Sequence, residues 1–322
     1  MPRKADIDET AAHALLHRIF GSSVPVTCQR TAEGVSTQVY RIQRESEVFY
    51  LRIAEEADEN LETEAELYRR LRLLGVRVAD IVHVEPFNSD IGRSTMVTTE
   101  IVGAPVAHLN DPALAASIVE QAGADLAVIN RIPVDGFGFI RRQNRQWPLP
   151  AEYPRYEDFL VSYLPKPWPG PLTSLFDRAA IRTVEDLVER ERAGPPAPAT
   201  LSHGDFDLTQ IFCADGHYTG LIDFGETRGT DPWFDLSHFH LHDHETGPAA
   251  LLPALLSGYQ RIRPLPPGHE IAINDGAILL GLRQLCRWLG PPLRRPPEHP
   301  AVEHRAQQIR RLMAYRAVTG SR

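Results

Sequence analysis

Three runs early in the chain, at 26–30, 38–44 and 48–53, are rich in β-branched and aromatic residues. They are separated by Gly34 and by the polar pair Glu45-Ser46, which predicts an antiparallel meander. A short helix is expected before them at 13–20. Over 61–74 the apolar residues Leu61, Ala65, Tyr68, Leu71 and Leu74 recur at intervals of three and four, the period of one helix face, and Gly75 closes the run. Strand-like runs follow at 81–84 and 95–102. Gly103 and Pro105 then break the pattern, and helices are predicted at 112–130, 156–164, 171–192 and several times after Trp233. A small β insert at 210–213 and 218–222, turned by Asp215-Gly216, interrupts them. The expected class is α+β in two lobes: residues 1–101 form an N-terminal lobe built on an antiparallel sheet, and residues 102–322 a larger, mainly helical C-terminal lobe. No internal repeat is present.

Composition narrows the partners. The chain is 43% hydrophobic and 24% charged over 322 residues, enough apolar material to bury a core without staples. A formal charge of -8 argues against a nucleic-acid partner, which would leave a basic stripe. It makes a cationic small molecule easier to accommodate. The start, MPRKADIDET, is polar where a secretory signal would be apolar, and no run approaches the roughly 20 apolar residues of a membrane span. The expectation is a cytoplasmic protein without a membrane partner. Cys28, Cys213 and Cys286 are odd in number and far apart, so neither a disulfide framework nor a Cys-x-x-Cys metal site is suggested. Lys4 and Lys166 are the only lysines, so a fixed cation in the middle of the fold has to be arginine.

The chemistry concentrates in LSHGDFDLTQIFCADGHYTGLIDFGE. Phosphoryl transfer asks a protein for a carboxylate near the attacking hydroxyl and for oxygen ligands that fix Mg²⁺ against the phosphates. Here Asp205 is followed five residues on by Gln210 and eighteen residues on by Asp223. His203-Gly204-Asp205 and Ile222-Asp223-Phe224-Gly225, with Gly229, Asp231-Pro232 and Asp235-Leu236 downstream, resemble the aminoglycoside phosphotransferase and choline kinase superfamily, a branch of the protein-kinase-like fold. The likeness runs from about residue 26 to 245.

That resemblance implies roles. Asp205 accepts or orients the hydroxyl proton, and Asp223 and Gln210 hold Mg²⁺ against the β and γ phosphates. His203 and Asp235 brace the catalytic loop. In the first lobe Gly34, Ser36 and Thr37 match the loop that covers the phosphates. Arg52 takes the place of the strand lysine that reaches the α and β phosphates, and Glu64 is its acidic partner, preferred over Glu62 and Glu66. The backbone from Thr99 to Ile101 matches the hinge that hydrogen-bonds the purine of ATP or GTP.

Three positions depart from the family pattern. Gln210 stands where asparagine is usual, Arg52 where lysine is usual, and Asn130 where a histidine often closes the helix; Asn130 is assigned no catalytic role. The four histidines His238, His240, His242 and His244 have a spacing that could bind zinc, but the rest of a metal site is missing from the sequence. Glu226, Asp207, Asp243 and Glu245 could line an acidic acceptor pocket or lie on a solvated surface. The expected activity is kinase action on a small hydroxylated substrate. An aminoglycoside or other antibiotic comes first, which would make the chain a resistance enzyme. An amino alcohol, sugar or nucleoside kinase is the alternative, and a nucleotide-binding pseudokinase the third reading.

Overall fold

The computed structural model describes residues 7–21, 26–31, 38–56, 58–143, 146–164, 169–193, 198–243, 245 and 247–319. In chain order the elements are α1 (Glu9–Phe20), β1 (Val26–Arg30), β2 (Gln38–Arg44), β3 (Glu47–Ile53), α2 (Glu62–Leu73), β4 (Ile81–Asn88), β5 (Arg93–Thr99), β6 (Ala104–Pro105) and α3 (Pro112–Ile129). After these come β7 (Val134–Asp135), β8 (Phe137–Ile140), β9 (Leu149–Tyr153), α4 (Tyr156–Tyr163), α5 (Arg178–Ala193), β10 (Thr200–Ser202), β11 (Ile211–Ala214) and β12 (His217–Leu221). The chain closes with β13 (Arg228–Thr230), α6 (Phe234–His242), α7 (Leu252–Ile262), α8 (His269–Leu289) and α9 (Pro300–Thr319).

The class is α+β, as expected. The division is not a single cut at 101/102, however. Two compact units interleave: the first takes Met1–Ala104, Arg141–Trp147 and Phe212–Gly225, and the second Pro105–Ile140, Pro148–Ile211 and Glu226–Arg322.

The first unit is built on an antiparallel sheet in the order β1-β2-β3-β5-β4. Strand alternation explains its two faces. Phe49, Leu51 and Ile53 of β3 pack with Leu15 and Leu16 of α1 and with Ile42 and Val97. Arg52 falls between them on the opposite face, opposite Met96 in register, and Met96 packs with Leu61 and Ala65 at the start of α2. Helix α2 ends at Gly75, whose φ of +86° is open to glycine at little cost. The β11–β12 hairpin turns at Asp215 and Gly216, both with positive φ (49° and 76°), as a two-residue hairpin loop requires.

In the second unit α4, α5, α8 and α9 enclose a core that includes Leu160, Leu187, Leu282 and Ile309. Helix α3 is apolar and long enough to cross a membrane by length and composition alone. It is instead seamed to α7 by glycines: a Cβ on Gly258 would lie 1.7 Å from the Glu120 carbonyl oxygen, and one on Gly123 2.2 Å from that of Leu255. The unit also holds a sheet of short strands, β10-β13-β8-β9-β7, that the sequence pattern did not predict.

Candidate active site

In the first unit the sheet and α2 hold a buried charge cluster. Arg52 and Glu64 form an ion pair, their side chains 11% and 4% exposed. Glu62 and Glu66 are not its partners: Glu62 Oε2 accepts from Asn60, and Glu66 pairs with Arg69. Tyr68, one turn beyond Glu64, faces the same cluster. Burial pulls the Arg52 guanidinium down, but the surrounding charges of Glu64, Tyr68 and Asp223 outweigh it and hold the group above the ordinary arginine value. Burial, then the Glu64 charge, pushes the Tyr68 phenol up.

Asp223 follows β12 in a left-handed backbone conformation, φ +60°, which costs a non-glycine residue about 1–2 kcal/mol. Neighbouring contacts fix that conformation. Phe224 is buried edge-on against Tyr68, with ring centroids 5.2 Å apart, and Arg142 donates to the Gly225 carbonyl at 2.7 Å. The Gly225 N–H points back to Asp223 Oδ1 at 3.3 Å. A Cβ on Gly225 would lie 3.1 Å from Asp223 Oδ1 and 3.3 Å from an Arg52 nitrogen, so the residue's smallness lets carboxylate and guanidinium share the same space. Asp223 itself is exposed. Arg52, Glu64 and Asp223 thus come together.

At the end of β5 the Thr99 N–H donates to the Asp80 carbonyl, and the Thr99 hydroxyl accepts from the Asp80 N–H, both at 2.9 Å. The Glu100 N–H donates to Val48. Thr99 is therefore committed to the sheet, and the strand stops there rather than at 102. Ile101 follows outside the strand. The loop with Gly34, Ser36 and Thr37 lies outside the described residues.

In the second unit β10 leads into His203-Gly204-Asp205. Gly204 has φ +92°, and a Cβ there would lie 1.9 Å from the Glu226 carbonyl oxygen, so only glycine fits. Asp235, fully buried on α6, clamps the loop. Its Oδ2 accepts from the His203 N–H and from Asn130 Nδ2, its Oδ1 from the Gly204 N–H, each at 2.9 Å. Asn130 also donates to the Leu201 carbonyl and accepts from the Tyr259 hydroxyl. Asn130, expected to have no catalytic role, here ties together α3, β10, α6 and α7.

The Asp205 side chain is 45% exposed, with His238 Nε2 3.4 Å from its Oδ1. Gln210 lies five residues on, half-buried, its N–H bonded to the Asp207 carbonyl at 3.2 Å.

The four acidic pocket candidates are otherwise engaged. Asp207 accepts from the Thr209 N–H, Asp243 caps α7 through the N–H groups of Leu251 and Leu252, Glu226 pairs with Arg228, and Glu245 pairs with Arg305. The zinc reading also fails among the described residues, where no group of three or more His, Cys, Asp or Glu residues could hold a metal ion. His242 Nδ1 donates to the His238 carbonyl, and its Nε2 meets Arg305; His244 lies outside the described residues. A cavity of about 250 Å³ within the second unit is lined by two acids, Glu191 and Asp231, and by Arg190, beside Tyr156, Phe159 and Trp233. Burial pushes the Asp231 carboxyl up to about 6, and burial raises Glu191 as well. Asp231 lies in the motif run, but no local sequence signal marked Glu191 or brought the two together.

The antiparallel sheet with its buried Arg-Glu pair and the braced His-Gly-Asp loop define a kinase-like phosphotransferase fold. The chain belongs to the phosphotransferase enzyme family (APH), whose profile matches residues 27–271. Among solved structures it is similar to a thermostable mutant of aminoglycoside phosphotransferase APH(4)-Ia in ternary complex with ADP and hygromycin B. The two are 17% identical over 94% of this chain and 99% of that one, with a TM-score of 0.67. It is also similar to a proposed fructosamine-3-kinase from Thermobifida fusca, with 15% identity, 92% and 98% coverage, and a TM-score of 0.58. No curated protein matches the sequence significantly.

The Arg52–Glu64 pair makes a first prediction. Removing one member of a buried pair strands the other charge, so Glu64→Ala should cost about 3–5 kcal/mol of stability. The Arg52→Ala, Glu64→Ala double-mutant cycle, read by denaturant unfolding, should show strong non-additivity. Two additive losses would mean the pair carries no energy.

Proposed function

We propose that the protein is a Mg²⁺-dependent kinase that moves the γ-phosphoryl group of ATP or GTP to a hydroxyl of a small, amine-bearing acceptor, with an aminoglycoside first among candidates. The observation that carries this reading is the clamped loop: Asp235 fixes the backbone on both sides of the His203–Gly204 bond, so the half-exposed Asp205 carboxylate is held in a set position to take the acceptor's proton.

Arg52, oriented by Glu64, would reach the nucleotide phosphates, with the Gly34, Ser36 and Thr37 backbone covering them. Thr99 ends the hinge strand, and because its N–H is taken, Ile101 is the residue whose backbone would meet the purine. The first lobe is thereby the nucleotide-binding one and the second the catalytic and acceptor-binding one. Asp223 and Gln210 suit Mg²⁺ in kind, both being hard oxygen donors, and one or two protein ligands are what Mg²⁺ uses beside phosphates. Bound there, the ion would neutralise charge on the transferring group. The aromatic cavity, in which Glu191 and Asp231 outnumber Arg190, would suit a cationic acceptor. A sugar-amine acceptor is the second reading, favoured by the similarity to a protein described as a fructosamine-3-kinase. A drug acceptor would make the chain a resistance enzyme.

The test is nucleotide turnover, with MgATP and with MgGTP, against a library of hydroxylated amines that includes hygromycin B and a fructosamine. Acceptor-dependent release of ADP or GDP is expected; no stimulation by any member would overturn the reading. Gln210 refines it. Gln210→Ala should raise the Mg²⁺ concentration needed for half-maximal activity by removing one oxygen ligand. Gln210→Asn should hold or improve activity. If the wild type and the Asn variant both bind nucleotide yet transfer no phosphate, the pseudokinase reading replaces this one.

A further inference from the structure

His238 stands outside every role given so far, and its two ring nitrogens are unusually well determined by their neighbours. Nδ1 lies 3.1 Å from the Phe206 carbonyl oxygen. A carbonyl can only accept, so Nδ1 carries the hydrogen. In the neutral ring Nε2 is then a bare lone pair, and it lies 3.4 Å from Asp205 Oδ1. Two acceptors face each other.

Three events could relieve that contact: the imidazole could become a cation, Asp205 could take a proton, or a hydroxyl could donate to both. The first is opposed by burial and by nearby positive charge, which outweigh the pull of the Phe206 carbonyl. Burial holds the His238 ring well below the ordinary histidine value, and His242 on the same helix, Arg228 on β13 and His203 on the catalytic loop add positive charge or potential positive charge around it. The rings of His238 and His242 are 4.4 Å apart.

We infer that His238 and Asp205 act as one proton-accepting pair, in which the acceptor hydroxyl of the substrate donates to both Asp205 Oδ1 and His238 Nε2. The inference rests on the kinase reading above. As the acceptor oxygen bonds to the γ phosphorus, the bond from that phosphorus to the bridging oxygen breaks, and its electron pair leaves with the nucleoside diphosphate. The hydroxyl proton comes to rest between Oδ1 and Nε2, then passes to solvent when product leaves. A lone carboxylate is a weak base at neutral pH; a carboxylate sharing the proton with an imidazole holds it more tightly and is a better-matched base. Because the two groups interact, the proton belongs to the pair.

The experiment compares wild type with His238→Asn, whose amide can still donate to the Phe206 carbonyl. Turnover of MgATP is followed from pH 5 to 9 with water as the acceptor, and unfolding temperature is read alongside. The expected result is a kcat about 10-fold lower in the variant, at the low end for an acid–base contribution. The acid limb of the wild-type profile should also move to lower pH, since the pair is active only when deprotonated and the variant keeps the weaker base alone. A purely structural histidine would change the unfolding temperature and leave that limb in place, which would overturn the pair.

Long-range ¹H–¹⁵N spectra of the imidazoles give an arm independent of activity. His238 should be the Nδ1–H tautomer, and its Nε2 signal should shift in Asp205→Asn, where an amide replaces a carboxylate oxygen. A His238 protonated on Nε2, or one blind to the Asp205 substitution, refutes the proposal. Absence of any MgATP turnover in the wild type tells against the kinase reading, while the spectra still decide the pairing.

Discussion

Asp205→Asn is expected to lower kcat by at least about 100-fold while nucleotide affinity changes little, the signature of an interaction made in the transition state and not in the ground state. The substitution keeps shape and removes the negative charge that makes the group a base. It should also leave the loop in place, because the backbone there is held by Asp235 through the N–H groups of His203 and Gly204, and Gly204 is packed against the Glu226 carbonyl. None of those contacts uses the Asp205 carboxylate. Nucleotide binding, measured by calorimetry with a non-hydrolysable analogue, separates loss of chemistry from loss of fold. Near-normal turnover in this variant would remove Asp205 from the mechanism, and the proposed pair with it.

The elements that could be read in advance are those whose signal is local. Strands β1 and β2 fall where alternation and turn residues place them, and α2 spans Glu62–Leu73 within the predicted 61–74 because its apolar face repeats every three to four residues. The Arg52–Glu64 pair was implied by the family resemblance, and helix periodicity singled out Glu64, which lies on the buried face of α2. Where several local signals compete, the structure departs from the pattern. The predicted helix at 171–192 is a 3₁₀ turn over Gly170–Ser174 followed by α5, whose first turn is capped by Asp177 through the Ala180 N–H. The strands β7, β8, β10 and β13 are two to four residues long and contain Gly138 and Gly229, too short and too glycine-rich for a period of two to register.

Long-range contacts were not legible at all. Asn130 looked like a lost histidine because its partners are 71 and 105 residues away, and a side-chain amide gives no pattern along the chain. His238 was grouped with His240, His242 and His244 by spacing alone, whereas its chemistry is set by Phe206 and Asp205, more than thirty residues earlier. The motif placed Asp205, Gln210 and Asp223 in one sentence of sequence; folding puts Asp205 and Gln210 in the second compact unit and Asp223 in the first.

The clamp itself is the second large effect. The Asp235 carboxylate is fully buried, and its two oxygens accept three hydrogen bonds, two from backbone N–H groups of the catalytic loop and one from Asn130. Asparagine at 235 has nearly the same shape but only one acceptor oxygen, so its NH₂ group must face a donor whichever way it turns. With the NH₂ at the Oδ1 position the Gly204 N–H loses its partner; with it at the Oδ2 position the N–H of His203 and the amide of Asn130 both do. Each stranded buried donor costs about 1–3 kcal/mol, and the loss of charge weakens whatever bonds remain. Asp235→Asn should therefore cost about 2–4 kcal/mol and lower the unfolding temperature by about 4–16 °C, at about 2–4 °C per kcal/mol for a domain of this size. Turnover should fall at least about 10-fold at permissive temperature, since the loop no longer holds Asp205 to a fixed position. Asn130→Ala removes one donor from the same carboxylate, so the double variant should lose less than the sum of the singles. An Asp235→Asn protein that melts within about 1 °C of wild type and turns over normally would mean that the loop is braced elsewhere.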